Sequence, residues 1–408
     1  MRVVIVGAGI GGLTTALELH RVGIDCQLYE AVDQISPVGV GVNVLPHAAR
    51  ILGDLGLADE LAAVSVLTRE SVFYNRFGQL VYAEPAGRFA GHADPQYSIH
   101  RADLQDVLLR AVRERLGPDA VRLGRPAVRV SQDDRRATVH FADHADPAGA
   151  DAVIGADGIH SVVRAQFHPH EGPPRYSGIT MWRGVSVWPR FLSGASMLRA
   201  GWFPTGKLVA YPIRHDVDGR GNDLVNWIAE KDAPASADRR WDRRGHLADV
   251  IDCFTGWSWD WLDVPGLLRA APEVLEYPMV DQDPLDRWGT GRVTLLGDAA
   301  HPMLPRGSNG AGQAILDARA LASSLAACRA GEGPAALARY EDLRREATSA
   351  VVRANRVSPP DAILGEVYRR TGDRPFRAVT DVVSLDELRR LAHDYRRVTG
   401  DRRTSPAG

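Results

Sequence analysis

A glycine-rich loop near the N-terminus constrains the fold more than any other feature of this sequence. Val3–Val6 is a short β-branched run typical of a buried strand, and Gly7-Ala8-Gly9-Ile10-Gly11-Gly12 follows it at the start of a predicted helix. A second predicted strand ends at Glu30. In this order, Gly7 permits the tight turn, Gly9 the close approach of a pyrophosphate, and Gly12 the close packing of helix on strand. The sequence therefore predicts a Rossmann-like α/β domain that binds a dinucleotide at a helix N-terminus.

The acid at the end of the second strand narrows the choice of dinucleotide. A carboxylate at Glu30 would accept a hydrogen bond from a ribose hydroxyl and would repel a 2′-phosphate. The loop is therefore predicted to bind FAD or NAD in preference to NADP.

A second glycine-rich region lies almost 300 residues further along the chain. Arg292–Leu296 is predicted to be a short buried strand, so Asp298 would emerge at a strand's carboxyl end, where open α/β sheets bind ligands. Gly307–Ala311 then precedes a long predicted helix, whose N-terminal amides would face negative charge. Between the two regions, Asp157-Gly158 follows another apolar run, although that pair alone is better explained as an ordinary turn or cap at a helix start. The two glycine-rich regions are predicted to be halves of one cofactor site.

That arrangement requires a discontinuous first domain. The chain of 408 residues is long enough for two or three domains, and strand-like pieces in the middle, rich in tryptophan, predict a second sheet. The predicted division is a cofactor domain at 1–70, 98–175 and 285–350, a substrate domain on a mixed β-sheet at 71–97 and 176–284, a C-terminal helical segment at 351–400, and a tail at 401–408.

Charge and cysteine content exclude several other classes. The net charge of −2 offers no global attraction to nucleic acid, and three cysteines without a CxxC pair predict neither a disulfide framework nor a metal site. No run of about 18 apolar residues predicts a membrane span. We expect a cytoplasmic protein without nucleic-acid or membrane partners, either a monomer or a homodimer.

Three motifs together carry a family resemblance. The Gly7–Gly12 loop with Glu30, Asp157-Gly158 with Ser161 and Arg164, and Gly297-Asp298-Ala299-Ala300-His301-Pro302 resemble, in order, the three fingerprints of the class A flavoprotein aromatic hydroxylases. The resemblance covers almost the whole chain. Within the family, four stretches resemble the group of 5-methylphenazine-1-carboxylate 1-monooxygenases and salicylate hydroxylases: Gly39–Asn43, Tyr97–Arg101, Met181–Gly184 and Tyr277–Asp281.

The resemblance implies a fold and a reaction. The fold is a Rossmann-like FAD-binding domain of the GR2 type, like that of para-hydroxybenzoate hydroxylase, with an inserted substrate domain and C-terminal helices. The reaction is FAD-dependent and consumes NADH or NADPH and dioxygen. It hydroxylates an aromatic or heteroaromatic ring through a flavin C4a-hydroperoxide, with or without decarboxylation. The implied substrate is a small carboxylated ring of secondary metabolism.

The resemblance also implies which residues hold the cofactor. Those for the ADP part and phosphates are Gly7, Gly9, Gly12, Glu30, Arg101 and, through its backbone, Val128. Those for the ribityl chain and ring are Gly41, Val42, Asp298, Asn309, Gly310 and Ala311, while Asp157 and Gly158 would serve both FAD and NAD(P)H. Without the family, Arg101 is equally well explained as a surface arginine at a helix start, and Arg164 as a structural partner of Asp157.

Substrate contacts are predicted where the flavin loop meets the middle sheet. The candidates are Arg183, Tyr211, Trp227, Tyr277, Pro302 and Met303, and of these Arg183, Tyr211 and Pro302 are also the catalytic candidates. Arg183 could pair with a substrate carboxylate or form a salt bridge within the sheet. The tyrosines and Trp227 could contact a planar ring or belong to the core. No side-chain base is obligatory, because the cofactor supplies the chemistry.

Two alternatives remain open from the residues alone. They are a non-catalytic flavin-binding protein and a flavin oxidase of the same fold. A halogenase is disfavoured because Trp257-Ser258-Trp259 continues with Asp260-Trp261 and lacks the expected Ile-Pro ending. Arg199–Thr205 and the segment from Pro359 onward do not match the phenazine enzymes, and both could line or cover the pocket.

Overall fold

The computed structural model describes residues 1–35, 39–142, 146–234, 243–329, 331–357 and 359–399, so the predicted tail at 401–408 lies outside the described residues. The strands are β1 Arg2–Val6, β2 Asp25–Tyr29, β3 Gly41–Val44, β4 Ser65–Leu67, β5 Glu70–Tyr74, β6 Leu80–Pro85, β7 Tyr97–His100, β8 Val121–Arg122, β9 Ala127–Gln132, β10 Ala137–Phe141, β11 Ala148–Ala150, β12 Ala152–Gly155, β13 Arg175–Pro189, β14 Ser196–Gly201, β15 Lys207–Arg214, β16 Asn222–Asp232, β17 Arg243–Arg244, β18 Ser258–Trp259, β19 Leu262–Asp263, β20 Val274–Asp281 and β21 Val293–Leu295. The helices are α1 Ile10–Arg21, α2 Pro46–Asp54, α3 Ala58–Ala63, α4 Arg101–Leu116, α5 Val162–Phe167, α6 Val264–Arg269, α7 Gly310–Ala326, α8 Gly333–Val357, α9 Ala362–Thr371 and α10 Leu385–Thr399.

A parallel five-stranded sheet organises one half of the molecule. Its strand order is β21-β12-β1-β2-β8, so strands from both ends of the chain lie side by side. β1 is buried except at its first residue and reads as a continuous apolar run, as is usual for a parallel strand covered on both faces. α1 packs against α4 and α7. The predicted α/β fold with a Rossmann-like centre is confirmed.

A mixed eight-stranded sheet forms the second half, with the order β17-β20-β13-β16-β15-β14-β5-β6. All its pairs are antiparallel except the parallel pair of β14 and β5. Side chains alternate between two faces because successive residues of a strand point in opposite directions. One face buries Leu208, Ala210 and Trp227, and the other carries Val209 and Tyr211. These two faces are named the outer face and the pocket face, respectively.

The C-terminal helices connect the two halves. α8 packs on α7, while α9 contacts β5, β6 and β14 of the mixed sheet, and α10 packs on α8 and α9. A salt bridge from Arg76 to Asp373, 2.8 Å long, links the β5–β6 turn to the end of α9. Within the described ranges, no helix has both the length and the apolarity needed to cross a bilayer.

Candidate cofactor and substrate site

The first glycine loop is shaped by two close backbone approaches. A Cβ added at Gly12 would lie 2.0 Å from the carbonyl oxygen of Gly7, so only glycine fits there. A Cβ added at Gly9, in contrast, would meet nothing within 4 Å. The open space beside Gly9 is where a ligand phosphate can approach the backbone and the N-terminus of α1.

Glu30 is fixed at the edge of this loop. Its Oε2 accepts from the backbone N–H of Ala8 at 2.8 Å, and its Oε1 accepts from the N–H of Ala31 at 2.8 Å. Gln105 of α4 donates to the carbonyl oxygen of Ala8 at 2.9 Å, a contact that sequence reasoning missed. The backbone N–H and the carbonyl oxygen of Ala8 are therefore both held by side chains, the first by Glu30 after β2 and the second by Gln105 of α4.

The second glycine loop brings Asp298 to the start of α7. A Cβ added at Gly310 would lie 3.8 Å from Oδ1 of Asp298, so the residues at both ends of this loop face each other. Asp298 is an exposed residue, yet protein surrounds its carboxyl group closely enough that burial raises its pKa. Asn309 is buried, and Gly310 and Ala311 form the first turn of α7.

A buried acid on α7 holds this second loop in place. Asp317 accepts from the backbone N–H of Gly297 at 3.1 Å and from Nε of Arg344 at 2.7 Å. His301 Nε2 lies 2.6 Å from the same carboxylate. Burial opposes ionisation of Asp317, but the neighbouring His301 and Arg344 outweigh it and lower the pKa of this carboxyl. Neither Asp317 nor Arg344 was predicted, because a single acid in a helix carries no local signal of its partners.

The middle motif lies at the start of α5. Asp157 Oδ2 accepts from the N–H of Val162 at 2.8 Å, whereas its Oδ1 is buried with no hydrogen-bond partner among the described residues. Burial raises the pKa of this carboxyl. Arg164 donates to the carbonyls of Ala299 and Ala300 at 3.0 and 2.8 Å. The structure thus gives Arg164 a role in tying α5 to the second loop, and pairs it with Glu171 instead of Asp157.

The pocket face of the mixed sheet touches β3 at a single glycine. The N–H of Gly41 donates to Oδ1 of Asn226 at 2.7 Å, and Nη2 of Arg183 donates to the carbonyl oxygen of Gly41 at 2.9 Å. A Cβ at Gly41 would lie 2.7 Å from Asn226 Cβ and 2.8 Å from Tyr211 Cε2. Nη2 of Arg183 is therefore paired with the backbone of β3, whereas its Nε is buried without a hydrogen-bond partner, and no acid of the sheet forms a salt bridge with it among the described residues.

Two tyrosines lie beside this contact. Burial raises the pKa of Tyr211 to about 12 despite the opposing charge of Arg183, so its hydroxyl keeps its proton at neutral pH. The guanidinium of Arg183 lies 5.9 Å from the ring centroid of Tyr277, a cation–π distance. Both tyrosines belong to the apolar cluster of the pocket face.

Three of the predicted substrate contacts lie outside the apolar cluster of the pocket face, and their substrate contacts remain predictions. Trp227 is fully buried on the outer face, where its Nε1 donates to the hydroxyl of Ser186 at 3.0 Å. Pro302 is buried, with its carbonyl accepting from the N–H of Gln282 at 3.3 Å, and Met303 packs on Val351 and Val352 of α8. The next residue, Leu304, joins the pocket-face cluster in their place.

The other predicted cofactor residues lie on several different elements of the fold. Gly41 and Val42 lie in β3, Gly158 lies in the turn before α5, and Arg101 begins α4 with an exposed side chain. Val128 lies on β9 with its side chain half exposed. Their cofactor contacts remain predictions.

A cavity lies between the second glycine loop and the mixed sheet. It measures about 690 Å³ including its mouth. Gly307 and Ser308 form one wall, and Phe73, Met197 and Arg199 form part of the other. In the part of the chain that the structure describes, no three His, Cys, Asp or Glu side chains are placed to share a metal ion.

The residues present fit FAD. The clearance at Gly9 admits a phosphate, the buried Oδ1 of Asp157 lacks a donor, and the carboxylate of Asp298 can accept from a hydroxyl in the cleft. The N-termini of α1 and α7 supply positive potential to a phosphate and to an electron-rich ring edge, respectively.

Comparisons with known proteins agree with this geometry. The family model described as FAD binding domain matches residues 1–188 and 270–355. The chain is 46% identical to the phenazine 1,6-dicarboxylic acid hydroxylase PhzS of Lysobacter antibioticus, covering 97% of this chain and 96% of that protein. It is 33% identical to a salicylate hydroxylase of Pseudomonas putida, covering 90% and 86%.

A solved structure supports the same assignment. The crystal structure of Klebsiella pneumoniae HpxO complexed with FAD and uric acid is 26% identical, covers 98% of this chain and 95% of that chain, and superimposes with a TM-score of 0.76. The chain therefore belongs to the FAD-binding domain family and is an FAD-dependent aromatic monooxygenase of the class A flavoprotein hydroxylase type.

Proposed function

We propose that this monooxygenase hydroxylates a planar aromatic or heteroaromatic carboxylic acid in secondary metabolism, with or without loss of the carboxyl group. The observation that carries the proposal is the contact at Gly41. There the strand predicted to flank the flavin ring is hydrogen-bonded to Asn226 and Arg183 on the pocket face. A substrate on that face would therefore lie directly beside the cofactor cleft.

The side chains around this contact suit a planar ring. Met181, Met197, Phe203, Tyr211 and Leu304 form an apolar and aromatic surface, which excludes water and packs well against flat rings. The hydroxyl of Tyr211 would donate a hydrogen bond to a substrate oxygen, since a tyrosine is protonated at neutral pH and burial raises the pKa of this one further, to about 12. The names of the phenazine dicarboxylic acid and salicylate hydroxylases support a carboxylated ring as the substrate class.

The cofactor contacts form part of the proposal. The first loop, Gly7, Gly9 and Gly12 with Glu30, would hold the ADP part, assisted by Arg101 and Val128. Asp157 and Gly158 would lie near the pyrophosphate, and Asp298 would accept from the ribityl chain. Gly41, Val42, Asn309, Gly310 and Ala311 would surround the ring. Bound FAD, once reduced by NADH or NADPH, activates dioxygen, and the protein orients the substrate and keeps water away.

Assembly and location complete the proposal. We infer a monomer or homodimer acting in the cytoplasm, where NADH and NADPH are available. Gel filtration with light scattering measures the number of subunits.

Turnover with a panel of acids tests the function. We expect the purified protein to be yellow and to oxidise NADH or NADPH faster when phenazine-1-carboxylate, phenazine-1,6-dicarboxylate, salicylate, or an indole or quinoline acid is added. Mass spectrometry under ¹⁸O₂ should find one labelled oxygen in the product. Hydrogen peroxide without labelled product would favour a flavin oxidase, and no stimulation by any acid would favour a non-catalytic flavin protein.

A further inference from the structure

One cation lines the cavity between the second glycine loop and the mixed sheet. Arg199 of β14 is the only Lys or Arg among its described lining residues, and its side chain is 10% exposed. It lies on the pocket face, like its neighbour Met197 two residues earlier. Its guanidinium is therefore placed to meet a molecule that enters the cavity.

The guanidinium is held in one orientation by three contacts. Its Nε lies 3.0 Å from Oδ1 of Asp361, its Nη1 donates to the hydroxyl of Ser71, and its carbon lies 5.3 Å from the ring centroid of Phe73. A guanidinium carries more N–H donors than these two polar partners use. The remaining donors are pre-oriented, which lowers the entropy cost of binding an anion.

The carboxylate that pairs with Arg199 also pairs with a second cation. Asp361 is shared, because Nζ of Lys207 lies 2.6 Å from its Oδ2 and 2.8 Å from Oε2 of Glu230. Burial opposes ionisation of Asp361, but the nearby charges of Lys207, Arg199 and Arg306 outweigh it and lower the pKa of this carboxyl. Asp361 therefore neutralises Arg199 only in part, because Lys207 shares the same carboxylate, and an anion in the cavity beside Arg199 can add a second charged partner.

Another acid restricts where that anion can lie. Glu84 also lines the cavity, and it pairs in register with Ser71 on the neighbouring strand. Its carboxylate disfavours a second negative charge on that side, so the cavity should select the orientation of a charged ring.

We propose that Arg199 binds the carboxylate of the aromatic substrate and that Asp361 is the positioning residue that holds its guanidinium. The inference rests on the proposed function, because it names the group that the same cavity recognises. Arg183, the arginine expected from the sequence to do this, donates through Nη2 to the backbone of Gly41 and is not among the described residues that line this cavity.

Calorimetric titration of the FAD-loaded protein tests the proposal with an acid and its neutral analogue. The probes are phenazine-1-carboxylate and phenazine-1-carboxamide, and the readout is the ratio of their dissociation constants. The wild-type protein should prefer the acid. Arg199→Gln should weaken acid binding by about 10- to 100-fold and leave amide binding unchanged, because only the acid forms a charged pair. Arg199→Lys should keep part of the preference, since it keeps the charge but loses the planar fork.

Asp361→Asn separates positioning from general stability. It should weaken acid binding more than amide binding in the wild-type background and have no further effect in the Arg199→Gln background. Arg175→Gln is the matched control, because Arg175 is an exposed arginine paired with Asp283 on the same sheet. Flavin content and thermal unfolding identify any variant that fails to fold. If Arg199→Gln fails to fold, the ratio of the acid and amide dissociation constants of Arg199→Lys tests the proposal in its place.

Three outcomes would overturn the proposal. The first is a wild-type protein that binds the acid and the amide equally well. The second is an Arg199→Gln variant that keeps the wild-type preference for the acid. The third is an Arg183→Gln variant that loses this preference while Arg199→Gln keeps it. Failure of the proposed function is recognised separately, as a wild-type protein that binds the acid but shows no acid-stimulated oxidation of NADH or NADPH.

Discussion

Alanine at Gly9 should damage cofactor binding without damaging the fold. The backbone at Gly9 has φ −72°, which alanine adopts without strain, and an added Cβ meets no protein atom within 4 Å. The protein stripped of FAD should therefore unfold at the wild-type temperature or slightly above it, because alanine restricts the unfolded chain. A methyl group in the space predicted for the pyrophosphate should cost about 1–3 kcal/mol of binding energy, as overpacking does in a filled site. That corresponds to an FAD dissociation constant raised about 5- to 150-fold.

Gly12→Ala is the matched comparison. Its Cβ would lie 2.0 Å from the carbonyl oxygen of Gly7, so this variant should lose stability even without FAD. Apoprotein stability is measured by thermal unfolding, and FAD affinity by quenching of flavin fluorescence during titration. If Gly9→Ala binds FAD as tightly as the wild type, or destabilises the apoprotein as much as Gly12→Ala does, the placement of the phosphate beside Gly9 is wrong.

Three further variants probe the second loop and the sheet. Asp298→Ala should lower flavin content at an unchanged apoprotein melting temperature, since Asp298 is an exposed residue, and undiminished flavin would refute this role. Asp317→Asn should lower the free energy of unfolding by about 3–5 kcal/mol, because it leaves the largely buried guanidinium of Arg344 without a carboxylate partner. The pKa of Asp317 is lower in the folded protein than its usual value of 3.8. Its ionised carboxylate therefore stabilises the folded state fully at pH values above 3.8, and this stabilisation is lost as the pH falls through the lowered pKa of the folded state. Melting temperatures of wild type and variant should converge in acid. Trp227→Leu should cost about 2 kcal/mol of stability yet leave the KM for the aromatic substrate unchanged, and a raised KM would place this side chain in the pocket after all.

The glycine loops could be predicted because their information is local. At Gly7–Gly12 the strand, the turn and the helix start are adjacent in sequence, so the backbone requirements appear as a motif. The position of Asp298 after β21 follows from the same rule about strand ends. Their meeting in one site was also predictable, because parallel strands present their carboxyl ends at one edge.

The substrate face could be predicted only in part. Alternation along β15 and β16 assigns Tyr211 and Trp227 to opposite faces, but which face meets the cofactor half depends on how the sheet docks. Large aromatic side chains suit both a pocket and a core, so composition did not distinguish them. Met303 and Leu304 follow an irregular loop without periodicity, and their directions had to come from the structure.

The pairing of Arg199 with Asp361 could not be predicted from the sequence, for a different reason. The two residues are brought together by the docking of α9 on β5, β6 and β14, which has no signature near either residue. The sequence showed only that Arg199–Thr205 and the segment after Pro359 departed from the phenazine enzymes.

The strand order of the parallel sheet also determines when the protein can acquire its cofactor. β12 lies between β1 and β21, so one side of its backbone remains unpaired until Val293–Leu295 has left the ribosome. Nascent chains that end earlier would contain a complete first glycine loop but no Asp298 and no α7. If Asp298 and the start of α7 hold the flavin as proposed, flavin loading should follow synthesis of most of the chain, and non-local pairing of this kind is slow to form. Overproduction under riboflavin limitation should accumulate a colourless folding intermediate whose exposed β12 edge is prone to aggregation.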